Sequence, residues 1–327
     1  MKKLIKILLT AVATAFVALQ MSALPLSAQE GSGLRITPPR QELRIERGAS
    51  QEFDIDIVNL ADKPVIAKVV VNDFTSDDLT GEPKISTDTS QRSDRSLAEF
   101  ITNLEDVPLD ANETKKVKIN VTVPETAPAG AYYGILRYQP SPVDENSDGN
   151  GTQFSLNSSI GVLVLLEVPG DYSQSAEVSD IAARIVELDA EGNVKADVEP
   201  RSGSVFMSTP NQIAVTVHNT GDSFVKPFGS VVIKNMFGSE AASYDLNAAE
   251  PRGNVLPDSS RMFTDIVDLK GFGRFTIEAN IAFNQGGEVT TITKTFWVIP
   301  VWLIIALVAV LLLLGFAGYM LYRRFTK

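Results

Sequence analysis

The chain of 327 residues has no cysteine and one histidine, His218. Without cysteine there can be no disulfide framework, thiolate nucleophile, iron–sulfur cluster or cysteine zinc site. A lipoprotein anchor, which needs a cysteine at the start of the mature chain, is excluded as well. With one histidine, a Ser-His-Asp triad would have to use His218, and a site with two histidine ligands is impossible. His218 stands beside Asn219 at the end of an alternating stretch, with no carboxylate at a catalytic spacing, and reads as a turn or strand-edge residue. Only carboxylate or serine–lysine chemistry would remain, and no paired motif for either stands out, so the chain reads as a non-enzyme. Positive charge is also scarce. Six of the 29 basic residues sit at the two ends, which leaves 23 against 40 acidic residues and −17 between them. A surface that acidic repels phosphate backbones, so nucleic acid is not an expected partner.

The two ends read as addressing and anchoring segments. Residues 1–28 have the pattern of a secretory signal peptide: Lys2, Lys3 and Lys6, then an apolar stretch from Ile7 to Leu19, then Pro25 and the small pair Ser27-Ala28. Export without cysteine suits a bacterial surface protein. At the other end, Val298 to Leu321 carries no charge. As a helix it would span about 36 Å, enough to cross a hydrocarbon core of about 30 Å. Trp297 and Trp302 mark one boundary, Tyr319 and Tyr322 the other. Arg323, Arg324 and Lys327 follow, which places residues 323–327 in the cytoplasm by the positive-inside rule. The expectation is a single-pass membrane protein: residues 298–322 in the lipid bilayer, the bulk of the chain outside the cytoplasm.

The middle shows strand signals and no sustained helical period. Phe53, Ile55 and Ile57 alternate with Asp54 and Asp56; Val117, Ile119, Val121 and Val123 alternate with Lys116, Lys118, Asn120 and Thr122. Val162 to Val168 is nearly all apolar and suits a strand buried on both faces. A weak repeat divides this region. Phe53 to Asn59 is followed by Asp62-Lys63-Pro64, and Ile213 to Asn219 by Asp222 and Lys226-Pro227. Val107-Pro108 and Val255-Leu256-Pro257 then precede further strands, and Gly130-Ala-Tyr-Tyr-Gly134 matches Gly271-Phe-Gly-Arg-Phe275. The expected fold is all-β: two tandem immunoglobulin-like β-sandwich domains, residues 29–170 and 171–297, plus the C-terminal transmembrane helix. Two polar insertions, 75–96 and 139–153, decorate the first.

The sharpest local pattern is Asp144-Glu-Asn146-Ser-Asp148-Gly149, which follows the first half of an EF-hand calcium loop. Asp144, Asn146 and Asp148 are the candidate metal ligands, and calcium is the only cofactor they suggest. Ser155 stands where a bidentate Glu belongs, and the neighbours read as strands, so a solvated hairpin tip is the competing reading. Tyr132, Tyr133 and Tyr138 could stack on a sugar ring or fill the core of a sandwich.

These landmarks resemble the WxL-interacting cell-surface proteins of bacteria. Ile36-Thr-Pro38, Leu43 to Gly48, Val58 to Pro64, Val123-Pro124 and Pro128 to Gly134 carry the likeness to that family's peptidoglycan-binding domain. Val217 to Asp222, Lys226 to Gly229, Val255 to Arg261 and Phe296 to Pro300 carry the likeness to its host-binding domain and membrane entry. The resemblance implies a non-catalytic surface adhesion or scaffold protein, partnered by cell-wall peptidoglycan or by a surface or secreted protein. The alternative is an anchored assembly factor that docks secreted proteins by β-strand addition, as pilus chaperones with similar sandwiches do.

Overall fold

The computed structural model describes residues 33–77, 79–143, 159–284 and 287–325. The candidate calcium ligands Asp144, Asn146 and Asp148, and the signal-like residues 1–28, lie outside the described residues.

Residues 34–168 build one sandwich. One sheet has the order β1 (Leu34–Thr37), β3 (Ser50–Asn59), β9 (Thr114–Thr122), β7 (Ile101–Thr102). The other runs β2 (Arg40–Arg44), β11 (Ile160–Val168), β10 (Gly130–Pro142), β4 (Val65–Asn72), β8 (Val107–Leu109), and a small hairpin joins β5 (Phe74–Ser76) to β6 (Pro83–Ile85). Residues 176–298 repeat the plan. β13 (Arg201–Ser202), β12 (Ala176–Ile185), β15 (Gln212–Asn219) and β18 (Ser260–Ile266) form one sheet; β14 (Val205–Phe206), β20 (Thr290–Val298), β19 (Gly273–Ala282), β16 (Phe228–Lys234) and β17 (Glu240–Leu246) form the other. In both units the chain enters one sheet antiparallel and then crosses to the other, where it runs parallel to the last strand: β2 beside β11, β14 beside β20. The fold is all-β with immunoglobulin-like sandwiches and one C-terminal helix.

The strands form where alternation lets one face go dry. Phe53, Ile55 and Ile57 of β3 point into the first core while Asp54 stays exposed. Ile213, Val215 and Val217 of β15 do the same in the second core. The repeated Asn has a structural cause. Asn59 is buried at the end of β3, donates from Nδ2 to the carbonyls of Lys63 and Asp110, and accepts at Oδ1 from the Ala61 amide. Asn219 ends β15 in the same way, donating to Ser223 and Val255 and accepting from Gly221. Each side chain ties the turn after its strand to the segment that leads into the next one.

The uninterrupted apolar run of β11 is explained by the contact between the two sandwiches. Val162, Val164, Leu166 and Val168 fill the first core; Leu163 and Leu165 face the other way, into a separate cluster with Phe74, Ile135 and Leu256. Leu256 and Phe224 come from the second sandwich, so the outer face of β11 is covered by the neighbouring unit. Polar contacts frame this seam. Asp222 accepts at its carbonyl from the Ala131 amide (2.9 Å) and from Arg95 (2.9 Å), and its carboxylate pairs with Arg95 at 3.1 Å. A side chain at Gly130, whose φ is +130°, would place its Cβ 3.0 Å from that Asp222 carbonyl, which is why glycine stands there. The insertion at 75–96 reaches across as well: the Met262 amide donates to the Leu79 carbonyl at 3.1 Å.

Substituting Asp for Leu165 should replace an apolar contact of this seam with a desolvated carboxylate, at a cost of about 3 kcal/mol. Because Leu165 lies outside both sandwich cores, the expected result is separation of the two units with each core intact. Small-angle scattering would show a larger radius of gyration while the β-sheet circular dichroism persists.

Beyond β20 only Ile299 and Pro300 precede α1 (Val301–Phe325), which ends in Arg323 and Arg324. The helix starts three residues after the expected Val298 because that residue still pairs with Phe206 in the sheet, and the Ile299 amide donates to the Phe206 carbonyl. Among the described residues α1 is the one helix long and apolar enough to cross a membrane.

Candidate binding groove

Two concave surfaces compete for a functional role. The first lies between the sandwiches, with a volume of about 360 Å³, and its charges are already spent on one another. Glu42 is held by Lys226 and Arg40, and Arg44 pairs with Glu167. Burial works to raise the Glu42 pKa, but the hydrogen bond and charge of Lys226, with Arg40, outweigh it and hold the carboxyl below its ordinary value. Its contribution is therefore complete above the ordinary carboxylate pKa and disappears as pH falls through the depressed one. The contact between the units should loosen only in acid, which scattering across a pH series would detect; loosening near neutrality would contradict this. The cleft reads as a latch.

The second is a groove of about 470 Å³ in the first sandwich. Its geometry follows from a short strand. β7 pairs with β9 only at Ile101–Val121 and Thr102–Asn120, and then Asn103 to Asp106 crosses to β8 in the opposite sheet. Asn103 takes a positive φ of 59° at that departure, a conformation asparagine tolerates better than most residues. Among the described residues the edge of β9 from Lys115 to Ile119 thus has no strand on that side, and it forms one wall. The Lys115 ammonium reaches across to the Pro108 carbonyl at 3.3 Å. Lys116 and Lys118 face outward and meet Asp54 and Glu52 at 3.8 and 3.1 Å, both exposed pairs that water screens. On the opposite wall Asp106 accepts from the Val69 amide at 2.9 Å, with Glu105 beside it.

Tyr138 lies at the floor, fully buried. Its hydroxyl finds no hydrogen-bond partner among the described residues, and desolvation pushes its pKa up to about 12. A buried hydroxyl without a partner costs about 1–3 kcal/mol, so it is a feature to be explained. The groove thus offers a strand edge along one wall and ammonium and carboxylate groups at its rim, with the Tyr138 hydroxyl sealed just beneath its floor. That suits a polar, extended ligand rich in amides, hydroxyls and carboxylates.

The structure brings the three tyrosines to different places. Tyr132 is buried against Phe100, ring centroids 4.6 Å apart, and its hydroxyl donates to the Pro128 carbonyl at 3.0 Å. Tyr133 lies in the seam between Phe74 and Phe224. Tyr132 and Tyr138 fill the first core, whereas Tyr133 is half-buried against the cluster between the two units. His218 sits half-buried in β15, its Nδ1 3.0 Å from the Ser260 hydroxyl. No group of three or more metal-type side chains occurs among the described residues. Sequence reasoning missed the groove because Asn103–Asp106, β9 and Tyr138 meet only in the folded sandwich. The alternation of lysine with valine and isoleucine in β9 was its one visible trace.

Comparison with known proteins places the groove in a family context. Residues 41–139 match the family described as WxL Interacting Protein, peptidoglycan binding domain, a segment that includes every residue lining the groove. No curated protein matches the chain. Among solved structures, the chain is similar to a chaperone–tip adhesin complex of CFA/I fimbriae biogenesis: 12% identity, 80% of this chain and 98% of that one, TM-score 0.39. It is also similar to the class 5 fimbriae chaperone CfaA (12%, 81% and 99%, 0.37) and to the chaperone DraB of E. coli (13%, 81% and 96%, 0.35).

Proposed function

We propose that the chain is a membrane-anchored, non-catalytic surface protein that grips cell-wall peptidoglycan in the groove of its first sandwich. The observation that carries this is the coincidence of the groove with the segment matching a peptidoglycan-binding family. Peptidoglycan is a polymer of N-acetylated sugars cross-linked by short peptides, so it bears the amides, hydroxyls and carboxylates that the groove walls suit. The open β9 edge would pair with an extended stem peptide and the lysines with its carboxylates, and the sealed Tyr138 hydroxyl would meet a polar group of the ligand as the groove opens on binding. The −17 charge argues that the fit is specific, since a general attraction to an anionic wall is absent.

The helix α1 would cross the bilayer once, with Arg323 and Arg324 on the cytoplasmic side and both sandwiches outside. β19 runs the length of the second sandwich with ten residues. At about 3.3 Å per residue, that unit would hold the first about 33 Å above the membrane, toward the wall. The latch between the sandwiches keeps that presentation rigid. In this reading adhesion or scaffolding results from one molecule tied to wall and membrane together.

Co-sedimentation of residues 29–297 with purified peptidoglycan sacculi tests the wall contact. Binding should persist at moderate salt, because screening over about 8–10 Å weakens only general charge effects. Failure to sediment with sacculi at any salt would overturn the reading. A second reading, docking of a secreted protein by strand addition, is favoured by β17, which among the described residues pairs in its sheet with β16 alone and leaves its other edge open over seven residues. Capture of a secreted protein that is lost on introducing proline into β17 would support it.

A further inference from the structure

We infer that the base of the second sandwich is itself seated in the membrane interface, so that the ectodomain is held by a lipid-facing platform as well as by its helix. The inference rests on the single-pass reading above and adds a second lipid contact to it. Four segments converge where α1 begins. β14 contributes Val205 and is followed by Met207; β20 contributes Trp297; the turn before β19 contributes Phe272; and the β16–β17 turn contributes Phe237. In strand order these positions run across one end of the sheet, β14-β20-β19-β16, a width of about 14 Å at the usual strand spacing. Phe237 is 82% exposed and Met207 68%, values at which such side chains serve no core.

The occupant follows from depth. The Phe272 ring meets the Trp302 ring edge-on at 5.5 Å, so Phe272 sits level with the first turn of α1. Counting back from Arg323 to Trp302 at 1.5 Å per residue gives about 31 Å, the thickness of a hydrocarbon core. Trp302 therefore marks the outer edge of the apolar layer, and Phe272 lies beside it. Met236, the neighbour of Phe237, closes over Gly273: a Cβ added there would fall 2.7 Å from the Met236 sulfur. The β16–β17 turn is thereby tied to the same level. Amphipathic and aromatic side chains at this depth belong to the headgroup region. Charge is not what draws the platform down, because it is mixed at this end: Glu187 pairs with Lys195 and Asp268 with Lys270, while Asp189 and Glu191 follow β12 and Arg274 stands opposite Trp297. The contact should therefore be insensitive to anionic lipid.

The test uses the full chain in vesicles, with its only two tryptophans as starting points. One variant, Trp297→Phe, reports from Trp302. A second combines Phe237→Trp with Trp297→Phe and Trp302→Phe and reports from the platform. With lipids brominated near the headgroup, both reporters should lose about half of their emission or more, and the position-237 reporter should be shielded from iodide. The result should be the same in phosphatidylcholine and in its mixture with phosphatidylglycerol. Quenching of Trp302 with the reporter at 237 open to iodide and untouched by bromolipid would overturn the platform while leaving the anchor in place. Absence of bromolipid quenching at Trp302 would overturn the single-pass reading and the platform with it.

Discussion

Replacing Asn219 with alanine should lower the melting transition of the second sandwich by at least 10 °C and leave the first nearly unchanged. Asn219 is fully buried, and its amide satisfies three backbone groups: the carbonyls of Ser223 and Val255 and the amide of Gly221. Alanine removes all three bonds and gives nothing back. Leaving a buried backbone group unpaired costs about 1–3 kcal/mol, so a loss of about 3–5 kcal/mol is expected. At about 3–5 °C per kcal/mol, between the values for smaller and larger domains, that is about 10–25 °C. Aspartate should rescue little, since it supplies the acceptor but no donor for the two carbonyls. Scanning calorimetry of the Asn219→Ala chain measures this directly, and a shift below about 2 °C would show that the turn is held by other means. Asn59→Ala should produce the mirror effect on the first sandwich, because it makes the same three contacts.

This pair also shows how far the residues alone disclose the fold. The Asn-x-x-Asp repeat and the period-2 alternation of β3 and β15 were visible because both are local: one is turn chemistry, the other the pleat. The double-sided apolar run of β11 was visible too, but not what covers its outer face, since Leu165 meets Phe224 and Leu256 only after two units have folded and docked. The polar insertion 75–96 looked like decoration and instead carries Leu79 to the second sandwich, through a backbone hydrogen bond that composition does not encode. The groove was least legible. Its floor comes from β10, one wall from β9 and the other from a crossing segment, and a tyrosine with an unpaired hydroxyl has no sequence signature. Burial patterns are legible in one sequence; the convergence of distant polar groups is not.

The second large effect is expected at Tyr138, and its two halves should have opposite signs. Tyr138→Phe removes a buried hydroxyl that has no partner among the described residues, and leaves the ring in place. Stability should be unchanged or higher by about 1 kcal/mol, because an unsatisfied group is taken out of the interior. Binding to the wall should fall, because the hydroxyl that the ligand would satisfy is gone. A hydrogen bond of about 1.4 kcal/mol corresponds to a tenfold loss of affinity. A residue kept only for packing cannot give this split, since phenylalanine packs as well. The lysines around it should behave differently. Lys116→Gln and Lys118→Gln remove exposed charges, so each should weaken binding only slightly and steepen no melting curve.

The most direct measurement is therefore an equilibrium sedimentation isotherm on purified sacculi, with the wild-type ectodomain and the Tyr138→Phe variant side by side and a melting curve for each. The groove account predicts about tenfold weaker binding by a variant that melts no lower than the wild type. Equal binding by the two proteins, with the melting temperature unchanged, would contradict it and move the wall contact elsewhere on the first sandwich.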